Sequence, residues 1–335
     1  MWRIVGHERA VRLLQNSIDV NRVSHAYLLS GPRQVGKSTL ARELARALNC
    51  LQPDRPCGRC RSCRKVDGGV HPDVQIIDLE EGTRNISIDA IRGLQNGVAL
   101  RPFEGRVKVY IIEEVERLSE PAANSLLKTL EEPPASVVLI LTTVDATMLL
   151  PTLVSRCQQI ELRPLSEAAI ERGLREMHGV APDRARLVAA LARGRMGWAV
   201  QAASSPTLLD KRKELLDRLI ALPAADRVTR FAYAAELASL HGRDQEAVRG
   251  ALETWKWWWR DLLLFRLGMA ERTINLDLRD RIAVDGRSYS IDAIGGMVGA
   301  IQETANLLAQ NVNARLALEV LMLSVPQKVH SAGQT

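Results

Sequence analysis

The stretch AYLLSGPRQVGKSTLARELARALN, residues 26–49, decides the fold of the first half of this chain. Its first residues, Ala26–Ser30, form a short apolar run that predicts a buried strand. From Ser38 to Asn49, leucine and alanine recur at helical spacing, which predicts a helix. The segment between them, Gly31–Ser38, matches G-x-x-x-x-G-K-[ST] at every fixed position. The sequence therefore predicts a strand, a glycine-rich turn and a helix in direct succession.

This glycine-rich turn predicts nucleotide binding. Glycines allow backbone N–H groups to turn towards phosphate oxygens, and the helix that follows adds its positive N-terminus. Lys37 would reach the β and γ phosphates, and the Ser38 hydroxyl would bind Mg²⁺. The alternative is a chance loop, or a decayed site that is kept for structure. The candidate nucleotide-binding residues are Gly31, Pro32, Arg33, Gln34, Val35, Gly36, Lys37, Ser38 and Thr39.

Strand and helix patterns alternate as far as Leu162. Such alternation predicts a parallel sheet covered by helices on both faces, the α/β class. Further strands are predicted at Val74–Ile77, Val107–Ile112, Val137–Thr142 and Ile160–Leu162, and helices at Glu8–Val20, Ser87–Leu100 and Glu120–Leu130.

Two acidic residues, Glu113 and Glu114, directly follow the predicted strand Val107–Ile112. In a phosphate-loop site the first acid would help to hold Mg²⁺ and the second would polarise the attacking water. The first position is commonly aspartate, and the extra methylene of Glu113 moves the carboxylate by roughly 1 Å. Binding tolerates such a change better than hydrolysis, which depends on tight positioning of the reacting atoms.

The character of the chain changes after residue 163, where helical patterns replace strand patterns. Ser166 is a predicted helix cap with Glu167 in the first turn, and Ser204–Pro206 is a second interruption. These positions divide the chain into predicted domains at 1–163, 164–206 and 207–335.

Four cysteines, Cys50, Cys57, Cys60 and Cys63, lie in one short window, residues 50–63. The C-x₂-C-x₂-C spacing with a preceding cysteine predicts a tetrahedral Zn²⁺ site with no position left for a substrate, and hence a structural site. Four reduced, unliganded cysteines are the alternative, and a redox switch is less favoured. No aromatic residue lies among the cysteines to stack on a base, so nucleic-acid readout is not favoured.

Composition is ordinary for a soluble globular protein, with 46% hydrophobic and 25% charged residues and a formal charge of +6. No apolar run approaches the ~18 residues of a membrane span, and the N-terminus lacks an apolar signal core. A cytoplasmic protein without a membrane partner is expected.

Several strings occur in a fixed order around these motifs and resemble the clamp-loader subunits of bacterial DNA polymerase III, which are AAA+ ATPases. The resemblance implies an AAA+ α/β nucleotide domain, a small helical lid and an all-α collar that joins a five-subunit ring. The strings are SHAYLLSGPRQVGKSTLARELARALNC, HPDV, VKVYIIEEVERL, AANSLLKTLEEPP and LVSRCQQIEL.

Within this family the chain is more similar to the delta-prime group than to the gamma/tau motor group. The acidic box of motor subunits is Asp-Glu-Val-His, whereas residues 113–116 read Glu-Glu-Val-Glu. Motor subunits carry an arginine in the lid at the position of Gly197, and the 335-residue length leaves no room for a tau-like extension. The resemblance thus implies a subunit that binds ATP/Mg²⁺ with weak or no ATPase activity of its own. A motor subunit of the gamma type is the alternative, supported by the phosphate loop and Glu114.

The resemblance assigns Arg156, in Ser155-Arg156-Cys157, to the ATP site of the neighbouring subunit as an arginine finger. From the residues alone, Arg156 would be a surface arginine that caps a helix or pairs with glutamate. Thr143 matches the position that senses the γ-phosphate, with Thr142 as the alternative register.

The implied partners are gamma/tau and delta subunits in a hetero-pentameric ring, and the sliding clamp and primer-template DNA through that complex. No paired metal-binding aspartates of a polymerase are visible, so DNA synthesis is assigned to partners. The tryptophans at 255, 257, 258 and 259 predict either a domain core or an interface, with stacking on single-stranded DNA as a weaker option. A stand-alone zinc protein that binds nucleic acid is a further, less favoured alternative.

Overall fold

The structure is a computed structural model that describes residues 2–79, 83, 85–310 and 312–327. The chain forms two compact units. The first comprises Met1–Gly179 and Ala192–Val200, and the second comprises Val180–Leu191 and Gln201–Thr335. The predicted helical segment 164–206 is therefore shared between the two units. The division into three domains at 1–163, 164–206 and 207–335 stays a prediction.

A parallel sheet forms the centre of the first unit. Its described strands are β1 (Ala26–Ser30), β2 (Val74–Ile77), β3 (Lys108–Ile112), β4 (Val137–Thr143) and β5 (Gln158–Glu161). Their order across the sheet is β2–β3–β4–β1–β5, with parallel pairing throughout. This confirms the predicted α/β class. The last strand begins earlier than predicted, because Gln158 and Gln159 pair with β1 although neither is apolar.

Both faces of the three central strands, β3, β4 and β1, are buried, as predicted for a parallel sheet, whereas the edge strands β2 and β5 are partly exposed. On one face, Leu29 of β1 belongs to an apolar cluster with Leu14 and Leu44. On the other face, Leu28 belongs to a cluster with Leu94 and Leu126. Consecutive residues of one strand thus enter opposite clusters, because side chains alternate across a strand.

Seven helices are described in the first unit before residue 180. They are α1 (Glu8–Asp19), α2 (Lys37–Asn49), α3 (Arg61–Asp67), α4 (Ile88–Val98), α5 (Glu120–Glu131), α6 (Pro151–Val154) and α7 (Glu167–His178). The predicted cap Ser166 is confirmed, since its side chain accepts a hydrogen bond from the Ala169 N–H. The sequence did not predict α3, which begins inside the cysteine segment because the Cys60 sulfur caps it by accepting from the Cys63 N–H.

The described part of the second unit is helical, and two helices cross the division between the units. The helices are α8 (Pro182–Ala192), α9 (Met196–Ser204), α10 (Pro206–Ala221), α11 (Arg227–Arg243), α12 (Gln245–Arg266), α13 (Arg279–Arg287), α14 (Ile291–Ala309) and α15 (Ala314–Leu323). None of the described helices combines the length and the apolarity that crossing a bilayer requires.

Most of the tryptophan cluster belongs to the core of the second unit. Trp255, Trp258 and Trp259 are at most 2% exposed and lie in its apolar cluster. Trp259 also meets Tyr289 edge-on, with ring centroids 5.0 Å apart. Trp257 is half-buried, and the Arg260 guanidinium lies 4.9 Å from its ring centroid. Of the alternatives that the sequence left open, a domain core, an interface or stacking on single-stranded DNA, these three indoles lie in the core.

Candidate functional site

The glycine-rich turn between β1 and α2 depends on backbone conformations that favour glycine. Gly31 has φ +146° and Gly36 has φ +119°, and Gln34 between them has φ 61°. A Cβ on Gly31 would lie 2.2 Å from the Leu162 carbonyl oxygen, so no other residue fits there without moving the backbone. Gly36 is also the N-cap of α2. The turn therefore leads into the N-terminus of α2, where anions bind favourably.

Lys37, the first residue of α2, turns back over the loop. Its Nζ donates to the Gly31 carbonyl at 2.6 Å and to the Pro32 carbonyl at 2.9 Å. Burial lowers the pKa of Lys37, while the carboxylates of the acidic box oppose that shift. Because a phosphate oxygen is a stronger acceptor than a neutral carbonyl, an incoming phosphate would replace these two contacts.

Ser38 and Glu113 meet, although they are far apart in the chain. The Ser38 hydroxyl donates to Glu113 Oε2 at 2.7 Å. The other oxygen of Glu113, Oε1, is buried and has no hydrogen-bond partner among the described residues, with Arg42 Nη2 3.9 Å away. A hydroxyl and a carboxylate at the end of the phosphate loop are the oxygen ligands that Mg²⁺ prefers. The residues present thus fit a nucleotide-bound Mg²⁺.

Glu114 is held by two arginines. Its carboxylate lies 2.7 Å from Arg117 Nε and 3.4 Å from Arg33 Nη1, and its backbone has φ 49°. Its N–H donates to the Thr142 hydroxyl at 3.2 Å. These contacts fix the carboxylate, and each of its two oxygens faces a guanidinium.

Glu116, in the acidic box at residues 113–116, is a site residue that the sequence pattern did not predict. Its Oε1 accepts from the Val144 N–H at 3.3 Å, and its Oε2 is buried without a hydrogen-bond partner in the described structure. It is the carboxylate that most strongly opposes the lowered pKa of Lys37. The charge at position 116 therefore acts directly on the phosphate loop.

The two candidate sensor threonines have different surroundings at the end of β4. The Thr142 hydroxyl accepts from the Glu114 N–H, next to the acidic pair. The Thr143 hydroxyl donates to the Asp145 carbonyl at 3.1 Å, and Thr143 is fully buried. The sensor role of Thr143, or of Thr142 in the alternative register, stays a prediction.

Gly197 packs directly on the phosphate loop. Its N–H donates to the Gln34 carbonyl at 2.8 Å. A Cβ at this position would lie 3.1 Å from the Gln34 carbonyl oxygen and 3.2 Å from Gln34 Cβ. A side chain at residue 197 would therefore require Gln34 to shift by a few tenths of an ångström.

His7 is a second contact of the phosphate loop that the sequence did not predict. Its Nε2 lies 3.0 Å from the Val35 carbonyl oxygen.

The four cysteines come together in space. Their sulfur atoms, from Cys50, Cys57, Cys60 and Cys63, all lie within 4.8 Å of one another. Tetrahedral Zn–S bonds of about 2.3 Å place sulfurs about 3.8 Å apart, and Cys57 Sγ is 4.0 Å from Cys63 Sγ. The cluster therefore fits a four-coordinate metal.

Backbone N–H groups support thiolates in this cluster. The N–H groups of Cys57, Cys60 and Cys63 each donate to the sulfur of the preceding cysteine of the set. A hydrogen bond from the Arg59 backbone is the largest cause that lowers the pKa of Cys57, to about 6. Burial raises the pKa of Cys63 to about 12, so this thiol would lose its proton only to a bound cation.

Arg156 lies just after α6, where its guanidinium makes two contacts. Nη2 donates to Glu131 Oε1 and Nη1 donates to the Thr152 carbonyl, both at 2.8 Å. The residues alone predict that Arg156 pairs with a glutamate, and the structure of the single chain shows that pair. Cys157 beside it is not in the sulfur cluster, and burial raises its pKa to about 12.

Comparisons with known proteins find relatives among the subunits of DNA polymerase III. The family described as "DNA polymerase III, delta subunit" matches residues 6–166. The delta' subunit of Bacillus subtilis DNA polymerase III is 29% identical over 320 residues, which cover 95% of this chain and 96% of the relative. The chain is therefore similar to the DNA polymerase III clamp-loader subunits of the delta-prime and gamma/tau type. Its similarity to the delta' subunit extends along nearly the whole of both chains.

The gamma/tau relatives match about half of the chain. The tau/gamma subunit of Haemophilus influenzae is 42% identical over 173 residues, 51% of this chain, and the chain spans only 25% of that relative's length. Among solved structures, a gamma subunit-related protein from Thermotoga maritima aligns with a TM-score of 0.46 and 18% identity, over 93% of this chain and 98% of the other.

Proposed function

We propose that this chain is a delta-prime-like subunit of the clamp loader. It takes its place with gamma/tau and delta subunits in a hetero-pentameric ring in the cytoplasm. That ring places the sliding clamp on primer-template DNA at the expense of ATP. The contact of Ser38 with Glu113 at 2.7 Å, at the end of a complete phosphate loop, is the observation that carries the nucleotide part of this proposal.

The proposed role of ATP in this subunit is binding rather than rapid hydrolysis. The proposed ligands of ATP are the loop residues 31–39, with Ser38 and Glu113 for Mg²⁺. Three features disfavour hydrolysis: glutamate in place of aspartate at residue 113, the two arginines on Glu114, and the contact of Gly197 with Gln34. The motor alternative is supported by the intact loop and by Glu114.

Contacts in the ring are supported by an exposed apolar stripe on α15. Leu316, Val320 and Leu323 are 58%, 54% and 59% exposed, at spacings of one helical turn, whereas Leu318 and Leu321 on the same helix are buried. A helix that is apolar on both sides has more apolar surface than its own domain covers. This stripe is our proposed subunit interface.

Reconstitution tests the function. A mixture of gamma/tau, delta and this chain is expected to form a ring that loads the clamp on primed DNA, and omission of this chain is expected to stop loading. The double variant Leu316→Asp, Val320→Asp should prevent assembly, whereas Lys213→Asp at an exposed site on α10 should not. Equal loading with and without this chain, measured by clamp retention on circular DNA, would reject the proposal.

Removal of the proposed Zn²⁺ should destabilise the first unit. Zn²⁺ bound by four thiolates is a structural metal, and the free energy of its binding adds to the free energy of folding. We expect Cys60→Ser to abolish stoichiometric zinc, measured by metal analysis, and to lower the free energy of unfolding by more than about 4 kcal/mol. Cys157→Ser is the matched control, since this cysteine lies outside the cluster and should leave the zinc content unchanged.

A further inference from the structure

The carboxylate that meets Arg156 comes from the end of another helix. Glu131 is the last residue of α5, and Arg156 follows α6. Glu131 Oε1 accepts from Arg156 Nη2, and the Thr152 carbonyl accepts from Nη1. A planar guanidinium with acceptors on two of its nitrogens has a defined orientation. In the described contacts, two of its five N–H groups are used, so others remain for a second anion.

The backbone beneath Arg156 is fixed independently of Glu131. The N–H groups of Ser155, Arg156 and Cys157 donate to carbonyls of α6, and Cys157 packs against the core of the first unit. The base of the side chain is therefore rigid. These backbone contacts leave the direction of the long side chain undetermined. The Thr152 carbonyl on Nη1 and Glu131 on Nη2 define that direction together, and Glu131 is the only charged group of the two.

We propose that Glu131 is a positioning residue, which orients the Arg156 guanidinium for the nucleotide of the neighbouring subunit. The inference rests on the proposed function, because it concerns the same arginine. Glu131 and Arg156 side chains are 50% and 34% exposed, and a pair so exposed changes an equilibrium by at most about five-fold. A γ-phosphate, with its higher charge and several acceptor oxygens, binds the guanidinium more strongly. Glu131 therefore pre-orients Arg156 without withholding it from the phosphate.

The test is a double-mutant cycle in the complete ring. The measured quantity is the Arg156-dependent rate, the steady-state ATP hydrolysis of the wild-type ring minus that of the Arg156→Ala ring. We expect Glu131→Gln to lower this rate about three- to five-fold, with an unchanged KM for ATP. In the Arg156→Ala background the same substitution should change nothing.

Two further variants make the result specific. Glu132→Gln removes the neighbouring exposed carboxylate and should leave the rate at the wild-type value. Glu131→Asp keeps the charge on a shorter side chain and should give an intermediate rate. Ring assembly, measured by mass, should be the same for all variants.

The outcomes separate this inference from the proposed function. An unchanged or increased rate for Glu131→Gln would overturn it, an increase meaning that Glu131 competes with the phosphate. An equal decrease in the Arg156→Ala background would also overturn it, because Glu131 would then act through another group. If Arg156→Ala itself leaves hydrolysis unchanged, the finger assignment is the part that fails.

Discussion

Replacement of Arg156 by alanine is expected to lower ATP hydrolysis at the site that it serves by at least about 10³-fold, the effect typical of a lost arginine finger. The guanidinium stabilises charge that develops on the γ-phosphoryl oxygens in the transition state, and alanine leaves that charge unpaired. ATP binding by this chain itself should stay unchanged, since Arg156 contacts Glu131 and Thr152 and not its own phosphate loop. The measurement is single-turnover hydrolysis in the reconstituted ring.

Arg163→Ala is the matched control for this substitution. Arg163 is also an arginine of the first unit, paired with Glu161, but its side chain is 81% exposed. We expect wild-type hydrolysis from this variant. A ring with Arg156→Ala that hydrolyses ATP as fast as the wild type would remove the finger assignment and leave the salt bridge with Glu131 as the only role of Arg156.

Replacement of Lys37 by alanine is expected to weaken binding of ATP/Mg²⁺ to the free chain at least about 100-fold. The loss of a charge-assisted contact to two phosphates is worth about 3 kcal/mol. Titration calorimetry measures it directly. Lys128→Ala, at an exposed position on α5, controls for the loss of a lysine as such and should bind normally.

The pH dependence of binding carries a separate signature of Lys37. Burial lowers its pKa in the free chain, so its charge is present at low pH and is lost at a lower pH than for an ordinary lysine. Affinity should therefore fall as pH rises through that lowered pKa.

Equal affinity in the Lys37→Ala variant would show that the loop does not bind a triphosphate. A large loss of ring hydrolysis from Lys37→Ala in this subunit alone would favour the motor alternative.

Local patterns of the sequence predicted the framework of the first unit well. The strands at Ala26–Ser30 and Val74–Ile77 have the predicted bounds, since polar or turn residues follow each short run. The cysteine spacing predicted the sulfur cluster for a similar reason, because ligands in one short loop reach a common centre. The sequence did not predict the helix Arg61–Asp67, because a cysteine sulfur caps it and helix propensity does not include such a cap.

The amino-acid sequence by itself thus determined the α/β class, the phosphate loop and the cysteine cluster, since each follows from patterns of residues close together along the chain. The order of the strands in the sheet was not determined in this way, because it pairs residues as distant as Ala26 and Leu139. Only the tertiary structure decided that the charge of Glu116 opposes the lowered pKa of Lys37, that Gly197 packs on Gln34, and that Glu131 contacts Arg156. Each of these contacts joins two separate elements of the fold. The sequence does not show which residue a given carboxylate will contact, because such long-range contacts form only when the sheet and the helices pack together.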